Sequence, residues 1–497
     1  MLAADWIAYH ARLTPQRLAC VDLATGRRLD YGAFDRRIDR LANALRQGLG
    51  VCPGDRVAVL AKNDSDVFAV QFACQRLATI FVPLNWRLAP DELRFILDDA
   101  QPRVLLHDTA FADTAALVGD GVAHRALGDA SIERASDAPA ATALPRDGDV
   151  WTMIYTSGTT GRPKGAQITY RMALFNAITL AQAFDIDAAS TNLVLLPTFH
   201  TGGLNVFANP TFFVGGANLI AREFDPVATV TLLASGEITH LMGVPTIHAA
   251  LADQPGFARV QAKALRGVAV AGAPCPVELI ERYAGIGLDL RQCWGMTEAG
   301  PLALLMPANA PAAKRGSSGL PSMFVQAAIV DREGQPVADG EVGELLVRGP
   351  VVTPGYWRRA RGEGFTAEGW LRTGDAARRD TDGFHSIVDR WKDMFISGGE
   401  NVYPAEIERV LGAIAGVAEC AVIGMADARW GETGCAFVVP APDAALQEQA
   451  LADHCARHLA RFKVPRRFVL VDALPRNATG KVLKTVLRQH ASSERKP

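Results

Sequence analysis

The stretch Tyr155-Thr-Ser-Gly-Thr-Thr-Gly-Arg-Pro-Lys-Gly165 is the part of this sequence best suited to chemistry. Glycines such as Gly158 let backbone N–H groups turn together towards an anion, and the hydroxyls of Thr156, Ser157, Thr159 and Thr160 add donors. Lys164 supplies a compact positive charge. Such a run is suited to holding a polyphosphate, with a surface turn as the alternative. It is not a Walker loop, because the Gly-x4-Gly-Lys-[Ser/Thr] spacing is absent. The eight cysteines, at 20, 52, 74, 275, 293, 420, 435 and 455, include no Cys-x-x-Cys pair and no Cys/His spacing that suits zinc. They read as reduced thiols, mostly small core fillers, in a cytoplasmic protein.

The elements around this loop follow an α/β pattern. Trp151-Thr-Met-Ile154 leads into the loop as a strand. Upstream, Phe34, Ile38, Leu41 and Leu45 have helical spacing, Arg56–Leu60 suits a strand and Val67–Ala78 a helix. A strand at Ile80–Val82, a helix opened by Pro90 and a strand at Val104–Leu106 continue the alternation, which favours layered sheets with crossover helices. The Ala-, Asp-, Pro- and Ser-rich segment Ala130–Asp149 reads as a surface connection. From about Arg390 a smaller α+β unit follows: a helix from Pro404 to about Ile414, strands near Ala418–Ile423 and Ala436–Val439, then a helix before Leu459.

At 497 residues the chain exceeds one ordinary core, so two or more domains are expected. With 51 Lys plus Arg against 53 Asp plus Glu, and no basic block, nucleic acid is not an expected partner. The N-terminal Met1-Leu-Ala-Ala-Asp-Trp-Ile lacks the basic start and apolar run of a signal peptide. No apolar stretch approaches the roughly 18 residues that a membrane helix needs. A weak peripheral contact with membranes and a homodimer stay open.

Further motifs make the loop specific. In order stand Leu196-Pro-Thr-Phe-His-Thr-Gly-Gly203, Ala271-Gly-Ala-Pro274, Gln292-Cys-Trp-Gly-Met-Thr-Glu298 and Trp370-Leu-Arg-Thr-Gly-Asp375. Asp389-Arg-Trp-Lys-Asp393, Ser397-Gly-Gly-Glu-Asn401 and Pro475-Arg-Asn-Ala-Thr-Gly-Lys481 follow. Together they resemble the adenylate-forming superfamily of acyl-CoA synthetases, luciferases and peptide-synthetase adenylation domains. The likeness covers almost the whole chain, and points towards short bacterial fatty-acyl- and feruloyl-CoA synthetases.

The resemblance implies roles. Glu298 is similar to the magnesium-holding carboxylate, a hard oxygen ligand, and Thr297 to the α-phosphate contact. Trp294 stands where an aromatic faces adenine, with Gln292 and Gly272-Ala273-Pro274 completing the pocket. Asp375 resembles the carboxylate that accepts the ribose hydroxyls, and Arg390 a second ribose contact. Lys481 resembles the catalytic lysine between the substrate carboxylate and the α-phosphate, where a cation stabilises the transition state of one anion attacking another. His200 resembles the histidine whose ring shifts between half-reactions. The implied hinge is Lys392, whose rotation would withdraw Lys481 and bring in Ser397, Gly398 and Gly399, where small residues admit the pantetheine arm of coenzyme A.

The resemblance thus implies a large α/β N-terminal domain of layered sheets, residues 1–389, with a mobile α+β domain, 390–497. It implies a ligase using ATP, Mg2+ and CoA to activate a small-molecule carboxylic acid. Thr201, Leu204, Asn205, Phe207, Gln292 and Cys293 are the expected acyl lining, mostly apolar. That suits a medium- to long-chain fatty acid first and a phenylpropenoic acid such as ferulate second. Cys293 departs from the glycine common at its position, against a long straight channel. An amino-acid adenylation domain would place an Asp shortly after His200, where Thr201–Asn209 offers none. A non-catalytic acyl-AMP-binding protein is the competitor outside the enzymes, and would be expected to lack Glu298 or Lys481.

Overall fold

Every residue of the 13-residue helix Ser65–Leu77 is buried, so it has no solvent face to keep polar. The reason is its place. It touches strands Ile80–Pro83 and Val150–Ser157 on one side and strand Leu18–Asp22 on the other, and these belong to different sheets. Its polar residues are matched internally. Arg37 donates to both oxygens of Asp66, at 2.9 and 2.8 Å. Burial pushes the Asp66 carboxyl up, and the Arg37 and Arg27 guanidiniums outweigh it, leaving Asp66 below the ordinary range. Around the helix Trp6, Phe34, Phe68, Phe72, Trp151 and Phe212 form the first core.

The computed structural model describes residues 3–140, 143–157, 163–308, 310–360, 362–391, 393–397, 400–427, 430–442, 444–476 and 482–493. Two units divide the chain, residues 1–327 with 347–371, and residues 328–346 with 372–497.

The first unit holds two large sheets. In the six-stranded sheet, Ala123–Ala126, Val104–His107, Arg56–Leu60, Ile80–Pro83 and Val150–Ser157 run parallel, and Pro163–Thr169 returns antiparallel to Val150–Ser157. In the nine-stranded sheet, Leu290–Trp294, Gly267–Val270, His240–Gly243, Thr191–Val194, Ala217–Ile220 and Leu18–Asp22 form the parallel block. Crossover helices cover these strands, as parallel sheets require. Ligands of such sheets gather at the carboxyl ends of the strands.

In the second unit, Leu371–Arg379 pairs antiparallel with His385–Arg390 inside a four-stranded sheet. A further sheet pairs Val417–Asp427 with Gly431–Pro440, longer than the strands expected at 418–423 and 436–439. Helices Pro404–Gly412 and Glu448–His458 pack on it. The boundary expected at 389/390 falls inside this unit, because His385–Arg390 is held by its strand partner. The segment read as a surface connection contains a short helix, Ala130–Glu133, whose Ile132 enters the first core.

Among the described residues no helix is long and apolar enough to cross a membrane.

Candidate active site

Strand Leu290–Trp294 ends in a tight turn that carries Glu298. Gly295 has to be glycine there, since a Cβ would lie 2.1 Å from the Pro301 carbonyl oxygen. The chain then enters the short 3-10 turn Thr297–Ala299, where Thr297 and Glu298 are both buried. Glu298 Oε1 accepts hydrogen bonds from Thr156 Oγ1 and Tyr356 OH, each at 3.0 Å. The other oxygen, Oε2, takes no hydrogen bond from the described residues.

Thr156 reaches Glu298 from the end of strand Val150–Ser157, so the residues expected to hold phosphate and metal meet at the carboxyl ends of strands from both sheets. Ser157 ends the described part of that strand. Gly158, Thr159 and Thr160 lie outside the described residues. Lys164, opposite Thr156 in register, forms a 2.7 Å ion pair with Glu363, and its Nζ lies 5.3 Å from the Tyr356 ring centre.

Tyr356 was not expected from the sequence. It arrives on the segment after Thr353, whose hydroxyl donates to the Gln167 carbonyl at 2.7 Å, while Ala166 bridges to Tyr356 and Trp357 N donates to the Gly165 carbonyl. This segment therefore extends the hairpin of Val150–Ser157 and Pro163–Thr169 by one strand-like pairing. Burial, then the Glu298 carboxylate beside it, pushes the Tyr356 phenol well above its ordinary value, so it stays a donor at any physiological pH. The only sequence signal is Pro354-Gly-Tyr-Trp357, a turn followed by two aromatics.

The residues expected to face adenine lie where two neighbouring strands end. Gly272, Ala273 and Pro274 follow Gly267–Val270 as an exposed loop, and Val270 is in register with Gln292 on the next strand. Trp294 closes that strand, 9% exposed. Gln292 Nε2 donates to the Gly316 carbonyl at 3.3 Å, while its Oε1 is buried with no partner among the described residues. Gln292, Arg315 and Gly316 border a cavity of about 260 Å³.

His200 lies deep among protein atoms, which push its pKa below the ordinary histidine value, yet its side chain is exposed to solvent. The exposure sets it apart from a packed core histidine.

The expected acyl residues divide between two cores. Cys293 and Phe207 share a cluster with Phe184, Val206, Met242 and Leu305, whereas Leu204 packs into the first core with Phe212. The π-helical turn Gly202–Val206 resets the helix face between them. Burial pushes the Cys293 thiol up to about 12, so it is a filler and not a nucleophile. Thr201, Asn205 and Asn209 form a ladder: Asn205 Nδ2 donates to Thr201 Oγ1 at 3.2 Å and Asn209 Nδ2 to Asn205 Oδ1 at 2.9 Å. Asn209 Oδ1 is buried without a partner among the described residues.

Within the second unit, Asp375 and Arg390 stand opposite each other in register, with Arg390 Nε 3.0 Å from Asp375 Oδ1. Asp375 is buried while Arg390 is partly exposed. Ser397, buried, pairs in register with Glu400. Gly398, Gly399, Lys392 and Lys481 lie outside the described residues. The flanks of residues 477–481 are held by an Arg476–Val482 bridge and by Leu483 N donating to the Pro475 carbonyl at 2.8 Å.

A family profile described as AMP-binding enzyme matches residues 7–357, and one described as AMP-binding enzyme C-terminal domain matches 406–481. A feruloyl-CoA synthase of Amycolatopsis sp is 39% identical, with 98% of both chains covered. A long-chain-fatty-acid–CoA ligase of Mycobacterium tuberculosis is 35% identical, with 97% of both covered. Among solved structures, ATP-bound MatB of Rhodopseudomonas palustris matches with a TM-score of 0.89 at 32% identity, covering 100% of both chains. The o-succinylbenzoate CoA synthetase of Bacillus subtilis, in complex with its acyl-adenylate intermediate, matches with a TM-score of 0.90 at 31% identity, covering 98% of both.

Proposed function

This chain belongs to the AMP-binding enzyme family and is an AMP-forming acid–CoA ligase, and from that premise we propose that its acid is a compact phenylpropenoic one. The substrate carboxylate attacks the α-phosphorus of ATP and pyrophosphate leaves. The CoA thiol then attacks the acyl carbon and AMP leaves. Neither step needs a nucleophile from the protein.

The chain's own residues divide this work. The phosphate-loop donors and Lys164 hold the polyphosphate, Lys164 exchanging Glu363 for it. Gln292 Oε1 is an unmatched acceptor that an adenine amino group would satisfy. Glu298 is a fitting magnesium ligand, since its Oε1 is fixed by two hydroxyls and Oε2 is left for a cation. Magnesium is commonly held by one or two carboxylates plus substrate phosphates, and when bound it neutralises phosphate charge. Lys481 serves adenylation as the cation at the reacting phosphorus. Lys392 is the pivot that ends that stage, and Ser397 to Gly399 admit the thiol arm.

Packing around Cys293 carries the choice of acid. Its side chain, 4% exposed among Phe207, Met242 and Leu305, occupies volume that a long chain would need. The Thr201–Asn205–Asn209 ladder ends on an unmatched acceptor, which a phenolic hydroxyl would satisfy. The relative named as a feruloyl-CoA synthase supports the same reading. A medium-chain fatty acid is the second reading, favoured by the apolar lining around Cys293.

The test is kcat/KM for pyrophosphate release over cinnamic, benzoic and straight-chain acids. Hydroxylated cinnamic acids are expected to lead, and Cys293→Gly to shift preference towards longer acids, at about 1–3 kcal/mol per methylene accommodated. A wild-type optimum at long fatty acids, or an unchanged profile in Cys293→Gly, would overturn this substrate reading.

A further inference from the structure

Asn63 follows strand Arg56–Leu60 and belongs to none of the motifs that carry chemistry, yet its side chain is 6% exposed and fully engaged. Oδ1 accepts from Thr198 N at 2.8 Å. Nδ2 donates to the Leu196 carbonyl at 3.0 Å and to the Ala221 carbonyl at 3.1 Å. Both amide protons and the carbonyl are thus used, and the orientation is fixed, because exchanging oxygen and nitrogen would set carbonyls against a carbonyl. The groups it grips leave the carboxyl ends of Thr191–Val194 and Ala217–Ile220, which are neighbours in the nine-stranded sheet, while Asn63 itself leaves the six-stranded sheet.

The gripped segment is Leu196-Pro-Thr-Phe-His200. Its geometry matters because the His200 ring takes no hydrogen bond from the described residues, so the backbone turn sets where the imidazole sits. That turn is closed by His200 N donating to the Pro197 carbonyl at 3.1 Å. From the other side Gly203 packs straight onto it, since a Cβ there would lie 2.3 Å from the Pro197 oxygen and 2.5 Å from the Leu196 oxygen. The Leu196 carbonyl is therefore clamped between Gly203 and the Asn63 amide. A side chain in place of Gly203 would push the turn away, and loss of the amide would release it.

We propose that Asn63 is a positioning residue for His200, fixing turn 196–200 so that the imidazole stays aimed at the acyl and α-phosphate groups. This rests on the reading of His200 as a residue of the ligase reaction. Asn63 makes no hydrogen bond to Glu298 or Gln292, so its loss leaves the groups expected to hold magnesium and adenine in place.

The test is a double-mutant cycle of Asn63→Ala with His200→Ala, read as kcat for acyl-AMP and for thioester formation. Misplacing a reacting group by about 1 Å costs on the order of 100-fold, so Asn63→Ala is expected to lower kcat by about that factor with KM for ATP unchanged. In the His200→Ala background the same change is expected to cost almost nothing further, because its effect runs through the missing ring. Asn63→Ser keeps a short polar side chain without setting a carboxylate oxygen against the Leu196 and Ala221 carbonyls and is expected to fall between wild type and Asn63→Ala; it carries the cycle if the alanine variant fails to fold. Losses that multiply in the double variant, or wild-type kcat in Asn63→Ala, would overturn the proposal. Failure of the underlying reading looks different: wild type would form no acyl-AMP, or His200→Ala alone would run at the wild-type rate.

Discussion

Lys481→Ala is expected to lower acyl-adenylate formation by about three orders of magnitude while leaving thioester formation from supplied acyl-AMP and CoA near the wild-type rate. The asymmetry follows from charge. In the first half-reaction a carboxylate attacks a phosphate, and a cation at the developing pentavalent phosphorus is worth far more in the transition state than in the ground state. In the second, a thiol attacks a neutral acyl carbon and AMP leaves, so that cation has no comparable task. The proposed pivot at Lys392 separates the two stages in space. Stopped-flow or quenched-flow measurement of both half-reactions decides it. Equal losses in the two, in a folded protein, would show that Lys481 does not serve adenylation alone.

Glu298→Gln is the second large effect, and it separates charge from scaffolding. A glutamine carbonyl still accepts from Thr156 and Tyr356, so the hairpin and the Thr297–Ala299 turn keep their bonds. What is lost is the anionic oxygen for a hard cation. The expected result is an unchanged melting temperature with kcat/KM for pyrophosphate release down by about 100- to 1,000-fold, the range for loss of one transition-state electrostatic group. The dependence on magnesium concentration should move to higher values. A variant with wild-type kinetics and magnesium response would remove Glu298 from the metal site.

How far these features were legible depended on distance along the chain. The expectation of a polyphosphate-holding loop needed no long-range link, because glycines, hydroxyls and a lysine within one short stretch are themselves the signal. The strands and helices up to Val104–His107 were legible for a similar reason, since periodicity is local. The Thr156–Glu298 bond spans 142 residues, and only the family motifs linked its two ends. Tyr356 and Asn63 had no such help. Asn63 stands before Asp64, which caps the helix Ser65–Leu77, and the sequence there reads simply as a helix start.

Leu204 and Phe207 both stand in the acyl lining that the resemblance implies, yet they pack into different cores. The π-helical turn shifts the helix phase between them, and no simple 3.6-residue pattern carries that shift. In the second unit, Gly431-Glu-Thr-Gly434 lies outside the strand expected at Ala436–Val439 but forms the start of a long strand. Gly424 and Gly434 face each other in register, and a Cβ on Gly424 would lie 2.5 Å from the Phe395 side chain, so small residues there make room for a ring. Asp375 and Arg390, read separately as ribose contacts, are cross-strand partners, so the arginine also orients the carboxylate.

The central claim is that this chain makes a free-standing acyl-adenylate before any thiol takes part, and acid-dependent ATP–pyrophosphate exchange without CoA tests it most directly. Labelled pyrophosphate is expected to return to ATP when a hydroxycinnamic acid is present and not when the acid is withheld, and added CoA should convert the bound intermediate to thioester with release of AMP. Exchange that needs CoA, or turnover that yields ADP and phosphate in place of AMP and pyrophosphate, would contradict the account.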